Sequence, residues 1–226
     1  MTGVRVLVVN SEHPQLAEKK AEALRKRVLP MLGETFGVSG ELCHFSELGG
    51  LGMEGEKYAG VMLSGCSTDW CEYSRDSLGG ALDFLRRVEA PVLGICGGHQ
   101  MLGLAFGAEL GPMRELREGE EDPNPNYHPG MFKEAGYMGV RRLRDDGLFA
   151  GLPEVMAVKQ SHYFQVMELP DDFELLATSD ECRIQAMRKR GARVYGVQFH
   201  PENHDEDHLD GKRVIGNFLR MCGVAG

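Results

Sequence analysis

The chain has 226 residues, 42% hydrophobic and 26% charged, enough apolar material to bury a core and too much for wholesale disorder. Its formal net charge of -9 repels phosphate backbones and anionic membrane surfaces, so no nucleic-acid or membrane partner is expected. No apolar run approaches the roughly 18 residues of a transmembrane helix, and residues 1–10 lack the pattern of a secretory leader, so a cytoplasmic protein with reduced thiols is expected.

Residues 4–9 (VRVLVV) suit a strand buried on both faces. Residues 14–32 place Leu16, Ala17, Ala21, Leu24, Val28 and Leu32 near helical spacing, with Pro14 early, and predict a helix. Strands follow at 38–45 and at 60–63 (GVML), the latter ending in Ser64 and Gly65. A helix over 74–88 carries Leu78, Leu82, Leu85 and Val88 on one side. A fourth strand, 91–95 (PVLGI), runs into Cys96-Gly97-Gly98-His99 and then a helix over 100–106. This alternation predicts an α/β fold: an open, mainly parallel twisted sheet with helices on both faces. Residues 111–132 hold REGEEDPNPNYHPG, without periodicity, and form a long loop that is either a functional lid or a solvated surface segment. Strands at 137–143, 155–160, 173–178, 182–187 and 194–199 make a small strand-rich C-terminal portion, with a hairpin turn at 188–191. A helix over 207–221 closes the chain, and one domain over 1–226 is expected.

Six cysteines (Cys43, Cys66, Cys71, Cys96, Cys182, Cys222) include no Cys-x-x-Cys pair, which argues against a zinc ribbon or a thioredoxin motif. One of them stands out. Cys96 ends a buried strand and a helix begins at once, the strained turn of a nucleophile elbow. The helix N-terminus favours negative charge on the sulfur, and its N–H groups can face an oxyanion. A buried cysteine in a glycine-rich turn is the bland alternative. A second strand, Gly196-Val197-Gln198-Phe199-His200-Pro201-Glu202, also ends in polar residues. A cysteine nucleophile needs a base, and the base needs an orienting acceptor. His200 can be that base, and Glu202, two residues on, falls on the same side of an extended segment.

GICGGHQ at 94–100 together with GVQFHPE at 196–202 resembles the class I, or triad-type, glutamine amidotransferases. The likeness extends to VMLSG, Ser161-His162 and the closing Gly216-Asn217-Phe218-Leu219, and looks like free-standing relatives of the GMP synthetase glutaminase domain. The resemblance implies Cys96 as nucleophile, His200 as base then acid, and Glu202 as orienting acid. It implies oxyanion donors from Gly97 and from Gly65 or Cys66, with Gln100 and the Ser161-His162 pair at the substrate. Many members carry Ser-Gly-Gly-Pro where this chain has Ser64-Gly65-Cys66-Ser67, which puts donor geometry in question. Cys66 is then either a second reactive thiol or a packing residue.

The implied reaction is hydrolysis of the side-chain amide of glutamine, with no cofactor or metal, supplying ammonia to an acceptor on a partner synthase. The chain leaves no room for that acceptor domain and has no Ser-Gly-Gly-x-Asp-Ser phosphate loop. The alternative is a self-sufficient γ-glutamyl hydrolase or peptidase with the same triad. His200, His204 and His208 recur every four residues, but Pro201 breaks the helix a three-histidine metal site would need. A solvated acidic helix start is the simpler reading there. His99 reads as a packed elbow residue. Trp70 and Tyr73 either wall the pocket or fill the core.

Overall fold

The computed structural model describes residues 4–51 and 57–224. The start of the expected N-terminal strand region, residues 1–3, lies outside them. Eleven strands are found among the described residues: β1 Arg5–Asn10, β2 Ser39–His44, β3 Gly60–Leu63, β4 Val92–Ile95, β5 Leu110–Pro112, β6 Glu134–Arg142, β7 Val155–His162, β8 Phe164–Val166, β9 Phe173–Thr178, β10 Ala186–Lys189 and β11 Val194–Val197. The helices are α1 Ala17–Phe36, α2 Arg75–Arg87, α3 Gly97–Ala105 and α4 Asp210–Met221. None is long and apolar enough to cross a membrane.

Nine strands form one sheet in the order β2-β1-β3-β4-β11-β10-β9-β6-β7. The first five pair in parallel, as the strand–helix alternation predicts. The rest are antiparallel. The strand-rich C-terminal portion is therefore an extension of the main sheet, docked through β11. Its separateness in the sequence reflects the change from helical crossovers to hairpins.

Alternation along the strands sorts their side chains to two sides. Val6 and Val8 of β1 face α1 and α4 with Leu24, Val28, Leu32, Val214 and Phe218. Leu7 and Val9 face α2 and α3 with Leu78, Leu85, Met101 and Leu102. Each such buried side chain contributes about 1.5–3 kcal/mol of apolar transfer. This two-sided burial is why residues 4–9 read as an unbroken apolar run.

Several boundaries differ from expectation. Helix α1 continues past Leu32 to Phe36, and includes Pro30. It stops at Gly37, whose φ of 65° lets its N–H and that of Val38 return to the carbonyls of Gly33 and Leu32. Strand β10 begins at Ala186, not 182, because Ser179 captures the Cys182 N–H in a local turn. The hairpin turn accordingly shifts beyond Lys189, closed by Ala192 N–H on the Lys189 carbonyl. Strands β5 and β8, three residues each, pair in a separate ribbon too short to leave a periodic pattern in the sequence.

Helix α3 begins directly after Cys96, three residues earlier than expected. That start is possible because Gly98 lets the helix meet β3: a Cβ there would lie 2.5 Å from both the Cβ and the carbonyl oxygen of Leu63. Gly98→Ala should lower the unfolding free energy by about 1–3 kcal/mol, the usual cost of overpacking. A urea titration checks this, and an unchanged midpoint would contradict the contact.

Candidate active site

The ends of four neighbouring strands, β1, β3, β4 and β11, carry the polar residues of the site. A parallel sheet gathers ligand-facing groups at these carboxyl edges. Cys96 follows β4 with φ 49° and ψ -105°, a left-handed setting that costs a side-chain-bearing residue on the order of 1–3 kcal/mol. Its N–H donates to the Val197 carbonyl at 2.8 Å, tying the elbow to β11. Gln198 donates from Nε2 to the Cys96 Sγ at 3.5 Å.

His200 lies just beyond β11, its N–H held by the Lys159 carbonyl at 2.8 Å. Its Nδ1 donates to Glu202 Oε1 at 2.8 Å. The other nitrogen is then left for the thiol. A Cβ placed on Gly65 would lie 3.4 Å from Cys96 Cβ and 3.8 Å from His200 Nε2, so Gly65 sits where sulfur and imidazole converge. Burial works against charge on His200, but the Glu202 carboxylate and the charge and hydrogen bond of Cys96 outweigh it and hold the imidazole up to about 10. Burial likewise opposes charge on Glu202, yet His200 beside it holds the carboxyl below its usual range.

Gly97 packs directly on the loop after β3. A Cβ on it would fall 2.6 Å from the Cys66 nitrogen and 2.5 Å from its sulfur. The Cys66 nitrogen thus lies against the Gly97 Cα, and neither the Gly97 nor the Cys66 N–H has a backbone acceptor shown among the described residues. The Cys66 side chain fits here because Gly97 has none: its Sγ packs against the Gly97 Cα and donates to the Thr68 carbonyl at 3.7 Å. Burial, with the Cys96 charge behind it, pushes the Cys66 thiol above its ordinary range, which favours the packing reading over a second nucleophile.

An open cleft of about 310 Å³ is lined by Cys66, Cys96, Trp70, Gln100, Tyr127 and the 161–164 segment. Gln100 lies in its wall with a fully engaged amide. It accepts from Trp70 Nε1 at 2.8 Å and donates to the Phe164 carbonyl at 2.7 Å and to Gln198 Oε1 at 3.2 Å. Ser161 is exposed at the rim. His162 Nε2 faces Glu134 Oε2 at 2.9 Å and Nδ1 faces the Phe164 carbonyl at 3.2 Å. Trp70 does wall the cleft, whereas Tyr73 is buried behind it with its hydroxyl on the Ser11 carbonyl.

The long loop is fixed over this cleft rather than free in solvent. Tyr127 donates to the Ser67 carbonyl at 3.2 Å, and His128 stacks on Tyr163 at 3.8 Å while its Nε2 meets Asp69 at 3.2 Å. Arg114 anchors its base to Glu120 and Glu181. Tyr127, Gln198 and Glu134 escape sequence reading, since each is a lone polar residue far in the chain from its partner. Gln198 had one signal: it lies inside the GVQFHPE segment.

The other histidines lie apart from the His200–Glu202 pair. His99 is buried, and burial, with His162 nearby, drives its pKa down to about 3, so the ring stays neutral. His204 and His208 turn to the Pro201 carbonyl and to Asp205, and do not converge with His200. Glu134, His162 and Cys182 have ligand atoms within 4.8 Å of one another. The carboxylate there is already filled by Ser179, Gln185 and His162, so the group reads as a polar network.

Glu202→Gln removes the main charge holding His200 protonated. The imidazole should then titrate clearly below its wild-type value near 10, as read by NMR of the ring. Because the folded value lies above the ordinary one of about 6.5, His200 stabilises the fold fully below that pH and progressively less as pH rises toward 10. The urea midpoint should therefore fall across that window in the wild type and less so in Glu202→Gln.

The family model described as glutamine amidotransferase class-I matches residues 43–222. A relative from Methanothermobacter thermautotrophicus, named as a component of glutamine-hydrolyzing GMP synthase, is 34% identical over 66% of this chain and 70% of its own. The protein of the same name from Methanopyrus kandleri is 33% identical over 74% of this chain and 78% of its own. The crystal structure of a putative GMP synthase component from Thermoplasma acidophilum superposes with a TM-score of 0.72 at 26% identity, covering 99% of this chain and 96% of that one. With its family model matched from the second strand to the last helix, the chain belongs to the class-I glutamine amidotransferases.

Proposed function

We propose that this chain is the glutaminase component of a GMP synthase, hydrolysing glutamine and delivering ammonia to a separate synthetase chain. The observation that carries the reading is a cysteine on a strained turn whose sulfur shares one crevice with a carboxylate-oriented imidazole. The names of its relatives support glutamine and the GMP synthase assignment. The free cysteines suit the reducing cytoplasm.

In this mechanism the Cys96 proton rests on His200, and the thiolate attacks the side-chain carbonyl carbon of glutamine. The carbonyl electron pair moves to oxygen, which takes the N–H groups of Cys66 and Gly97. Collapse of the tetrahedral species breaks the C–N bond as His200 Nε2 protonates the amide nitrogen, which leaves as ammonia. His200 then takes a proton from water as the water attacks the γ-glutamyl thioester. Glutamate leaves and the Cys96 thiolate is restored. Glu202 keeps the ring in place through both transfers.

Gln100 acts through the wall it holds, since its amide binds Trp70 and Phe164. His162 and Ser161 shape the opposite side of the cleft. Ammonia release from glutamine should fall by at least about 10⁴-fold in Cys96→Ala, in line with removal of a triad nucleophile. Hydroxylamine should divert the wild-type thioester to γ-glutamyl hydroxamate. Retained turnover in Cys96→Ala would end the mechanism. Faster turnover of γ-glutamyl dipeptides than of glutamine would replace it with the self-sufficient hydrolase.

A further inference from the structure

Glu12 follows β1 and is 2% exposed. Among the described residues no lysine or arginine pairs with its carboxylate. Neutral donors surround it instead. Oε2 accepts from Ser67 N–H at 2.7 Å and Ser67 Oγ at 2.8 Å. Oε1 accepts from Thr68 Oγ1 at 2.7 Å, Thr68 N–H at 3.2 Å and His13 N–H at 2.9 Å. Four of these five donors belong to the loop that follows β3. The Glu12 backbone is itself fixed, its N–H on Asn10 Oδ1 at 3.1 Å and its carbonyl under His44 Nε2 at 2.8 Å.

A buried carboxylate without a counter-ion is costly, and five donors are what make it tolerable. Burial alone would raise its pKa, but the Thr68 and Ser67 donors outweigh burial and hold it below the usual range, so it stays ionised.

The location gives this cost a purpose. Cys66 stands between Gly65 and Ser67. On one side, Ser64 Oγ donates to the Gly65 carbonyl at 3.0 Å and accepts the Ser11 N–H at 3.1 Å. The Gly65–Cys66 peptide is trans, so fixing its carbonyl toward Ser64 aims the Cys66 N–H the opposite way. On the other side, Glu12 fixes the next peptide through the Ser67 N–H. Two consecutive residues after β1, Ser11 and Glu12, therefore hold both flanks of the Cys66 peptide against Gly97. Residues such as Cys66, Ser67 and Thr68 lack the local rigidity of a Gly-Pro turn, and the carboxylate supplies it from outside the loop.

We propose that Glu12 is a positioning residue for glutamine hydrolysis, clamping Ser67 and Thr68 so that the Cys66 N–H stays aimed at the developing oxyanion. This rests on the glutaminase reading above. Glu12 touches neither substrate nor sulfur, so its loss should misaim a donor while leaving the thiolate formed.

The test compares wild type, Glu12→Ala and the size-conserving Glu12→Gln. In both variants kcat for glutamine should fall about 10–100-fold, short of the full loss of a donor, with KM within about threefold. Affinity for the γ-aldehyde analogue of glutamine, which forms a tetrahedral adduct on Cys96, should fall by the same factor as kcat. Alkylation of Cys96 by iodoacetamide needs no oxyanion and should stay within about threefold of wild type. A merely structural role would lower the melting temperature without this split. If Glu12→Ala does not fold, Glu12→Gln and Ser67→Ala provide the same readouts. Near-wild-type kcat in a folded variant, or alkylation falling in step with kcat, would overturn the proposal while leaving the glutaminase reading intact. A wild-type chain that neither turns over glutamine nor forms the hydroxamate would defeat the reading itself, and this inference with it.

Discussion

Everything at the carboxyl edge of the sheet depends on how abruptly β4 becomes α3. There is no loop between them, only Cys96, held at positive φ. Such a setting persists only when its surroundings over-determine it. Here they do so from three directions. The Val197 carbonyl takes the Cys96 N–H, the Cys96 carbonyl takes the Gln100 N–H at 3.0 Å, and α3 leans on Leu63 through a residue with no side chain. The sulfur is thereby presented at the crevice with the helix N-terminus beneath it, where negative charge is welcome.

Charge organises the remainder. The imidazole beside the sulfur is nearly enclosed, and burial should make it neutral. A carboxylate at 2.8 Å, together with the neighbouring cysteine sulfur, reverses that preference. His99, only three residues from the cysteine, has no such partner and stays neutral at the same sheet edge. The contrast shows that the partner, rather than the residue type, decides which histidine can carry a proton. A second carboxylate, Glu12, lies against the loop after β3 and is held ionised by hydroxyl and N–H donors instead of a cation. Its charge is spread into the loop it holds.

The walls follow from the antiparallel half of the sheet. Strands β6 and β7 bring Glu134 and His162 together across the ladder, and their network sits behind the 161–164 wall. Gln100 links that wall to Trp70 on the other side. The loop between β5 and β6 then crosses the mouth and is fastened by Tyr127 and His128. The cleft is thus lined by residues drawn from segments widely spaced along the chain.

Residues 4–9, 60–63 and 91–95 disclosed the parallel half by themselves, because strands buried on both faces must be apolar throughout. The sharp turn at Cys96 and the contact of His200 with Glu202 were also legible, since a strand-to-helix turn and the two-residue step of an extended chain are local properties. The joining of the C-terminal strands to the same sheet was not, because hairpin strands carry no mark of which edge they extend. Nor was the four-residue delay of β10, which a single serine side chain imposes. Glu12, Gln198 and Tyr127 act on partners that only folding brings near. An isolated acid, amide or phenol has no periodicity, so tertiary structure alone decided what each of them holds.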